Sequence, residues 1–120
     1  MGWGFLVQNG LGQLPQDFDT GASLFVGCEK AAEWAFAAEN PAGIDLVVDC
    51  RSAEQAPAPS VRPASGARWC RLDINKMLRG NIPLQQAVDQ WNLVFAALGQ
   101  GQKVLIHCVS GKHRTRSQYG

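Results

Sequence analysis

The residues best suited to chemistry lie near the end of the chain, where Arg114 follows Cys108 after five intervening residues. The backbone amides of this loop can turn inward and form a concave array of donors that suits a tetrahedral anion. The guanidinium of Arg114 matches two oxygens of a phosphate group. The same positive field would stabilise the thiolate of Cys108 and make it nucleophilic. The residues expected to bind the anion are Val109, Ser110, Gly111, Lys112, His113 and Arg114.

Such a loop needs a strand ahead of it, and the apolar run Lys103–His107 (KVLIH) predicts one. Other short apolar runs are bounded by glycine or polar residues and are also expected to be strands. They are Phe5–Val7, Leu24–Val26, Asp45–Cys50 and Trp69–Leu72.

Two segments are expected to be helices. The Ala-rich run Glu29–Glu39 has glutamate in its first turn and is followed by Asn40-Pro41. The stronger prediction is Asn81–Leu98, which has a proline in its first turn and glycines at its end. Large apolar residues recur in it at intervals of four and three, which places them on one helical face. They are Leu84, Val88, Trp91, Phe95 and Leu98.

The order of these elements predicts an α/β fold with a mostly parallel sheet flanked by helices. Residues 51–67 are rich in Ala, Pro and Ser and are expected to form a long loop. Ligands of such sheets bind beyond the carboxyl ends of the strands. Cys108 follows the last predicted strand at that end.

The composition is that of an ordinary globular chain with an uneven charge distribution. Its 120 residues are 46% hydrophobic and 18% charged, with a formal net charge of +1. These values exclude a disordered chain and argue against a nucleic-acid partner. Residues 1–50 carry one lysine against seven acids, whereas residues 103–120 carry four basic residues and no acid. We therefore expect the partner to be an anion at the Cys108 loop.

The four cysteines, Cys28, Cys50, Cys70 and Cys108, include no C-x-x-C pair. Neither a zinc site nor a thioredoxin-type redox site is indicated, so no metal or other cofactor is expected. The start of the chain lacks a signal-peptide pattern, and no apolar segment approaches the roughly 18 residues of a membrane span. We expect a cytoplasmic protein with reduced thiols.

The stretch His107-Cys108-X5-Arg114-Thr115 resembles the His-Cys-X5-Arg-Ser/Thr signature of cysteine-dependent protein tyrosine phosphatases, in the dual-specificity branch. The Leu24–Gly27 run with its following helix is also similar to the opening of those domains. The resemblance covers about residues 21–117, and only the loop signature is specific. It implies a dual-specificity phosphatase-like fold and hydrolysis of phosphomonoesters through a phosphocysteine. The implied substrates are phosphotyrosine or phosphoserine/threonine proteins, or a small phosphomonoester.

The resemblance also implies roles for single residues. Asp73 stands where these domains carry the acid that protonates the leaving oxygen and later activates water. The competing interpretation of Asp73 is a turn or cap residue. Asp89, the other acid nearby, is expected to be solvated. His107 would orient the loop backbone, and Thr115 would donate a hydrogen bond to the Cys108 sulfur.

The chain departs from the family pattern at its end. Arg116 stands where family members have a small residue, and six residues follow Arg114, whereas family domains continue through several helices. We therefore expect residues 21–120 to form a partial dual-specificity phosphatase-like catalytic domain without its C-terminal helices. Residues 1–20 would be an N-terminal extension. Activity of such a chain has to be measured directly.

Other functions stay open. Lys112 and His113 would suit highly charged substrates such as inositol phosphates or phosphoinositides. The run Leu46–Ser52 (LVVDCRS) resembles the strand–Asp–X–Arg–Ser opening of rhodanese-like sulfurtransferases. A phosphate-binding pseudophosphatase would keep the anion site without hydrolysis.

Overall fold

The computed structural model describes residues 12–13, 21–60 and 63–108. In chain order the elements are β1 (Gly12–Gln13), β2 (Ser23–Gly27), α1 (Glu29–Phe36), β3 (Leu46–Asp49), β4 (Arg68–Arg71), α2 (Ile74–Leu78), α3 (Leu84–Gly99) and β5 (Lys103–His107). They form one five-stranded sheet in the order β1-β2-β5-β3-β4. Strands β2, β5, β3 and β4 are parallel, and β1 pairs antiparallel with β2. The predicted α/β class with a mostly parallel sheet is therefore confirmed, while the predicted strand Phe5–Val7 lies outside the described residues.

A common register brings the carboxyl ends of the parallel strands to one level. Gly27 of β2, His107 of β5 and Asp49 of β3 are partners across neighbouring strands, and Asp49 in turn pairs with Arg71 of β4. Strand β5 lies between β2 and β3. Cys108 therefore leaves the sheet from an interior strand rather than from an edge.

The core has two layers, one on each face of the sheet. Val104 and Ile106 of β5 belong to the layer that includes Val94 and Ala97 of α3. Leu105 of β5 belongs to the opposite layer, which includes the alanines of α1. Successive side chains of a strand point to opposite faces of the sheet. Because both faces of β5 are covered, its central residues are apolar without alternation, as the sequence run shows.

Helix α1 is shorter than the prediction. It ends at Phe36 rather than at Glu39, and Ala37 has an extended backbone. Ser65, from the loop between β3 and β4, supplies the reason: its amide donates to the carbonyl of Phe36 and its hydroxyl donates to the carbonyl of Ala35. These donors satisfy carbonyls that a longer helix would have used internally.

Helix α3 begins at Leu84 rather than at the predicted Asn81. At its end, the amide of Gly101 donates to the carbonyl of Leu98 and the amide of Gln102 donates to that of Ala97. This pair of hydrogen bonds is a Schellman motif, which needs a residue in the left-handed backbone conformation. Gly101 is that residue, with φ +75°. The prediction that glycine residues end this helix is therefore confirmed.

Three of the five residues on the apolar face predicted for α3 are exposed, whereas Trp91 and Leu98 are partly buried against the core. Leu84 is 80% exposed and Phe95 is 59% exposed, whereas Val94 and Ala97 are buried. At 100° per residue, Val94 and Ala97 are centred about 110° from the middle of the predicted face. The exposed face lines an open apolar groove of about 580 Å³ in which the rings of Trp91 and Phe95 stack with centroids 5.7 Å apart. Both apolar stripes have helical spacing, so spacing alone could not decide which one packs on the sheet.

Within the part of the chain that the structure describes, no helix combines the length and the apolar character needed to cross a membrane.

Candidate functional site

Cys108 and His107 lie where β5 ends. Cys108 is 2% exposed and belongs to the same core layer as α3. His107 is buried on the opposite face, and its Nδ1 lies 3.1 Å from the carbonyl oxygen of Cys108. A carbonyl only accepts, so Nδ1 carries the proton and donates. This contact fixes the carbonyl group of Cys108, the last described residue.

The end of the neighbouring strand β3 carries a carboxylate clamped by an arginine. Asp49 is fully buried, and its two oxygens accept from Nε and Nη2 of Arg51 at 2.9 and 2.8 Å. The backbone amide of Arg51 also donates to Asp49, at 2.9 Å. Arg51 reaches on to Glu29 in α1 at 3.2 Å. This network ties β3 to α1 on the face of the sheet that holds His107.

His107 and Asp49 are close but do not form an ion pair. The Nε2 of His107 lies 4.0 Å from an oxygen of Asp49 and has no hydrogen-bond partner among the described residues. Burial lowers the pKa of His107 and outweighs the attraction of Asp49 for a proton on the ring. Burial alone would raise the pKa of Asp49, but the hydrogen bonds from Arg51 leave that pKa below its usual value. The ring is therefore neutral and the carboxylate is charged at neutral pH.

Asp73 lies beyond β4, the strand on the far side of β3 from β5. It occupies the cap position of α2 but makes no side-chain cap hydrogen bond. Its backbone amide donates to Oε1 of Gln90 at 2.9 Å, and its Oδ2 accepts from Nε2 of Gln90 at 2.8 Å. Its Oδ1 is buried without a hydrogen-bond partner among the described residues. The competing expectation of a cap residue therefore fits the backbone position but not the side chain.

The other cysteines differ in their surroundings. All four lie within the described residues, and none is in a disulfide. Cys70 is buried in β4, and this burial raises its pKa to about 11, so it is not a nucleophile at neutral pH. Cys28 and Cys50 directly follow β2 and β3, the two strands that flank β5. Cys108 is distinguished from them by the basic residues Lys112 and Arg114 in the sequence that follows it.

A polar cleft of about 350 Å³ is lined on one side by α2, the helix whose cap position Asp73 occupies. One wall is formed by residues that follow β3, including Ser52 and Gln55, and the other by Asn75, Lys76 and Arg79. Lys76 is paired with Glu54 at 3.5 Å. The cleft therefore offers hydrogen-bonding groups and the side chain of Arg79 next to the helix that Asp73 begins.

Several of the predicted site residues lie outside the described residues. They are Val109, Ser110, Gly111, Lys112, His113, Arg114 and Thr115. Asp89 lies within them and is exposed, as expected, with its carboxylate accepting from Gln85 at 2.8 Å. Of the predicted residues, the structure thus brings His107, Cys108 and Asp73 to the carboxyl edge of one sheet.

Two contacts of the candidate site are not predicted by the sequence. Gln90 gave no signal, because a glutamine in a helix is ordinarily a surface residue. The Asp49–Arg51 pair was noticed only for its resemblance to the rhodanese opening, and its contact with Glu29 depends on the packing of α1. No group of three or more His, Cys, Asp or Glu side chains that could hold a metal ion occurs in residues 21–60 and 63–108.

Comparison with models of known protein families, with curated proteins and with solved structures found no match for the chain.

Proposed function

We propose that the chain is a cysteine-dependent phosphatase, similar to the dual-specificity branch, that hydrolyses phosphomonoesters through a phosphocysteine at Cys108. The observation that carries the proposal is the position of Cys108. It is the first residue after an interior parallel strand and stands directly before the X5-Arg114-Thr115 sequence. This is the edge at which α/β sheets bind ligands.

Asp73 supports the proposal because it lies at the same edge, two strands away from Cys108. Neighbouring strands are about 4.8 Å apart, so roughly 10 Å separates β5 from β4. A phosphate ester and the side chain of Asp73 together span that gap. Oδ1 of Asp73 is buried and has no hydrogen-bond partner among the described residues, and we assign the proton transfer to this oxygen.

The proposed reaction has two steps. The Cys108 thiolate attacks phosphorus, the sulfur–phosphorus bond forms, and the ester oxygen leaves with a proton from Asp73. Water then attacks the phosphocysteine, Asp73 takes a proton from that water, and phosphate leaves with the Cys108 thiolate restored. Arg114 would bind the phosphate oxygens in both steps, and Thr115 would ease the departure of the sulfur.

The proposed substrates are phosphotyrosine and phosphoserine/threonine proteins. Lys112 and His113 add positive charge to the loop sequence, which would also suit an inositol phosphate or a phosphoinositide.

The test is hydrolysis of an aryl phosphate by the unaltered chain, by Cys108→Ser and by Cys28→Ser. Cys28 is a matched control because it also directly follows a strand, β2. We expect Cys108→Ser to abolish turnover and Cys28→Ser to retain it. Equal rates for the unaltered chain and Cys108→Ser would remove the proposed function, and phosphate or vanadate binding without any hydrolysis would assign a pseudophosphatase instead.

A rhodanese-like sulfurtransferase is the second candidate, favoured by one observation. The Asp and Arg of the LVVDCRS run form the buried clamp between Asp49 and Arg51 described above. Thiocyanate formation from thiosulfate and cyanide, without phosphatase activity, would assign this function. The corresponding loop of rhodanese-like enzymes is usually shorter, and the seven-residue span from Cys108 to Arg114 suits phosphate better than a sulfane sulfur. We therefore rank the sulfurtransferase function second.

A further inference from the structure

One polar residue lies in the stripe of α3 that faces the core. Gln90, Val94 and Ala97 are spaced by four and three residues and therefore share a helical face. Val94 and Ala97 are 2% and 1% exposed, and both belong to the core layer that contains Cys108. The side chain of Gln90 is turned toward the end of β4, where it meets Asp73.

The two hydrogen bonds between Gln90 and Asp73 form a closed pair. Gln90 accepts from the backbone amide of Asp73 at 2.9 Å and donates to its Oδ2 at 2.8 Å. An amide side chain has one acceptor end and one donor end, so this pairing also fixes the orientation of Gln90. The backbone and the carboxyl group of Asp73 are thereby held by a single side chain on a longer helix.

The two carboxyl oxygens of Asp73 differ in their hydrogen bonding. Oδ2 has an N–H donor directed at it, whereas Oδ1 is buried and has no hydrogen-bond partner among the described residues. A donor at Oδ2 disfavours a proton on that oxygen, so a proton on the carboxyl group resides on Oδ1. A purely structural carboxylate would be expected to satisfy both oxygens, since a buried oxygen without a partner costs free energy.

We propose that Gln90 is a positioning residue that directs Oδ1 of Asp73 to the leaving oxygen of the phosphate ester. This inference rests on the phosphatase function proposed above. In the first step the proton on Oδ1 goes to the ester oxygen as the phosphorus–oxygen bond breaks. In the second step Oδ1 takes a proton from the attacking water, and Oδ2 stays bound to Gln90 throughout.

The test compares Gln90→Met with a control on the same helix. Methionine has nearly the length of glutamine but can neither donate to Oδ2 nor strongly accept from the Asp73 amide. Gln85→Met is the matched control, because Gln85 is exposed and donates to the exposed Asp89. Gln90→Asn, which is one methylene shorter, serves as a second variant, and thermal unfolding establishes that each variant is folded.

The readout is turnover of two substrates with different leaving groups. Because removal of general acid catalysis costs about 100-fold or more, we expect Gln90→Met to lower kcat on glycerol phosphate by about 10-fold to 100-fold. We expect a change of less than about threefold on dinitrophenyl phosphate, whose leaving group needs no proton. Gln85→Met should leave both rates unchanged. In the Asp73→Asn background, Gln90→Met should have no further effect, because the two residues act as a unit.

Two kinds of result would overturn the positioning role while leaving the phosphatase function intact. One is an equal loss on both substrates, or no loss on either. The other is a full additional loss from Gln90→Met in the Asp73→Asn background. Failure of the phosphatase function is recognised separately, because the unaltered chain would then hydrolyse neither substrate, and the positioning role would fall with it.

Discussion

The charged and titratable residues of the site owe their states to burial and to single partners. Asp49 stays ionised because Arg51 offers it donors from both the guanidinium and the backbone, and His107 stays neutral because its ring is buried. Each of these protonation states makes the free energy of unfolding depend on pH. Asp73 is different, since its partner Gln90 is uncharged and its Oδ1 is buried with no hydrogen-bond partner among the described residues.

Asp73→Asn tests the proposed acid. An amide cannot give up a proton to an alkoxide, so we expect turnover of glycerol phosphate to fall by about 100-fold or more. Turnover of dinitrophenyl phosphate should be much less affected, because its phenoxide leaves without a proton. Steady-state kinetics on the two substrates measures the contrast. An unchanged rate on glycerol phosphate would remove Asp73 from this role.

His107→Asn tests the neutral state of the ring. Burial lowers the pKa of His107 from its usual 6.5, so the unfolded chain takes up a proton at a higher pH than the native state does. The free energy of unfolding should therefore fall as the pH drops below about 6.5, by up to about 1.4 kcal/mol per pH unit from this group. In the His107→Asn variant, the free energy of unfolding should lack this part of its dependence on pH. Urea unfolding between about pH 7.5 and about pH 5.5 measures it, and identical slopes in the two proteins would show that His107 is not held neutral.

Asp49→Asn tests the arginine clamp. Loss of the charge at this buried site should lower the free energy of unfolding at neutral pH by about 2–3 kcal/mol. Because the pKa of Asp49 is lowered in the native state from its usual 3.8, its contribution is present above that pH and is lost as the pH falls further. The difference between the unaltered chain and the variant should therefore shrink in acid, as followed by urea unfolding at several pH values.

Asp45→Asn is the control for the clamp. Asp45 is exposed, and its carboxylate accepts one bond from the amide of Lys103. We expect a loss of about 1 kcal/mol or less. Equal losses for the two variants would contradict the special role of the buried pair.

At the scale of the elements, α3 connects the core to the candidate site. Its inward stripe packs Val94 and Ala97 on the sheet and presents Gln90 to Asp73, while its other apolar stripe lines the groove. The sequence could predict the helix and its glycine stop, because periodicity and local turn chemistry determine both. It could not predict the rotation of the helix, because that depends on how two competing apolar stripes fit a sheet formed by distant residues.

The rotation of α3 predicts different costs for the same substitution at two positions. Val94 is 2% exposed and Val88 is 40% exposed. Val94→Ala removes buried methyl groups and leaves a cavity, so it should lower the free energy of unfolding by about 2 kcal/mol. Val88→Ala should change it by less than about 0.5 kcal/mol. Urea unfolding measures both, and a larger loss for Val88→Ala would mean that α3 packs through the other stripe.

At the scale of the whole molecule, the parallel strands were the most predictable part. Runs such as Lys103–His107 are short, apolar and bounded by polar residues, and the structure matches that range. The five-residue helix α2 was not predicted, because it is too short for periodicity to appear. The predicted end of α1, Glu39, lies beyond the observed end at Phe36 because Ser65, whose hydrogen bonds end the helix, is distant in sequence. Strand order and register are likewise long-range properties that no local pattern encodes.

The residues of the candidate site also differ in whether the sequence alone could identify them. Cys108 and His107 could be identified because they belong to a contiguous motif with a strand ahead of it. Asp73 could be proposed only through a family resemblance, since an aspartate after a strand is common in turns. Gln90 became visible only once the packing of α3 on β4 brought it to the carboxyl group.

The central claim is that the phosphoryl group of the substrate is transferred to the sulfur of Cys108. The most direct measurement is rapid acid quenching during turnover of dinitrophenyl phosphate, followed by mass spectrometry of the peptide that contains Cys108. We predict a phosphoryl group on Cys108 in the unaltered chain and more of it in Asp73→Asn, where attack by water lacks its base. Hydrolysis that proceeds without any phosphoryl group on Cys108 would contradict the account.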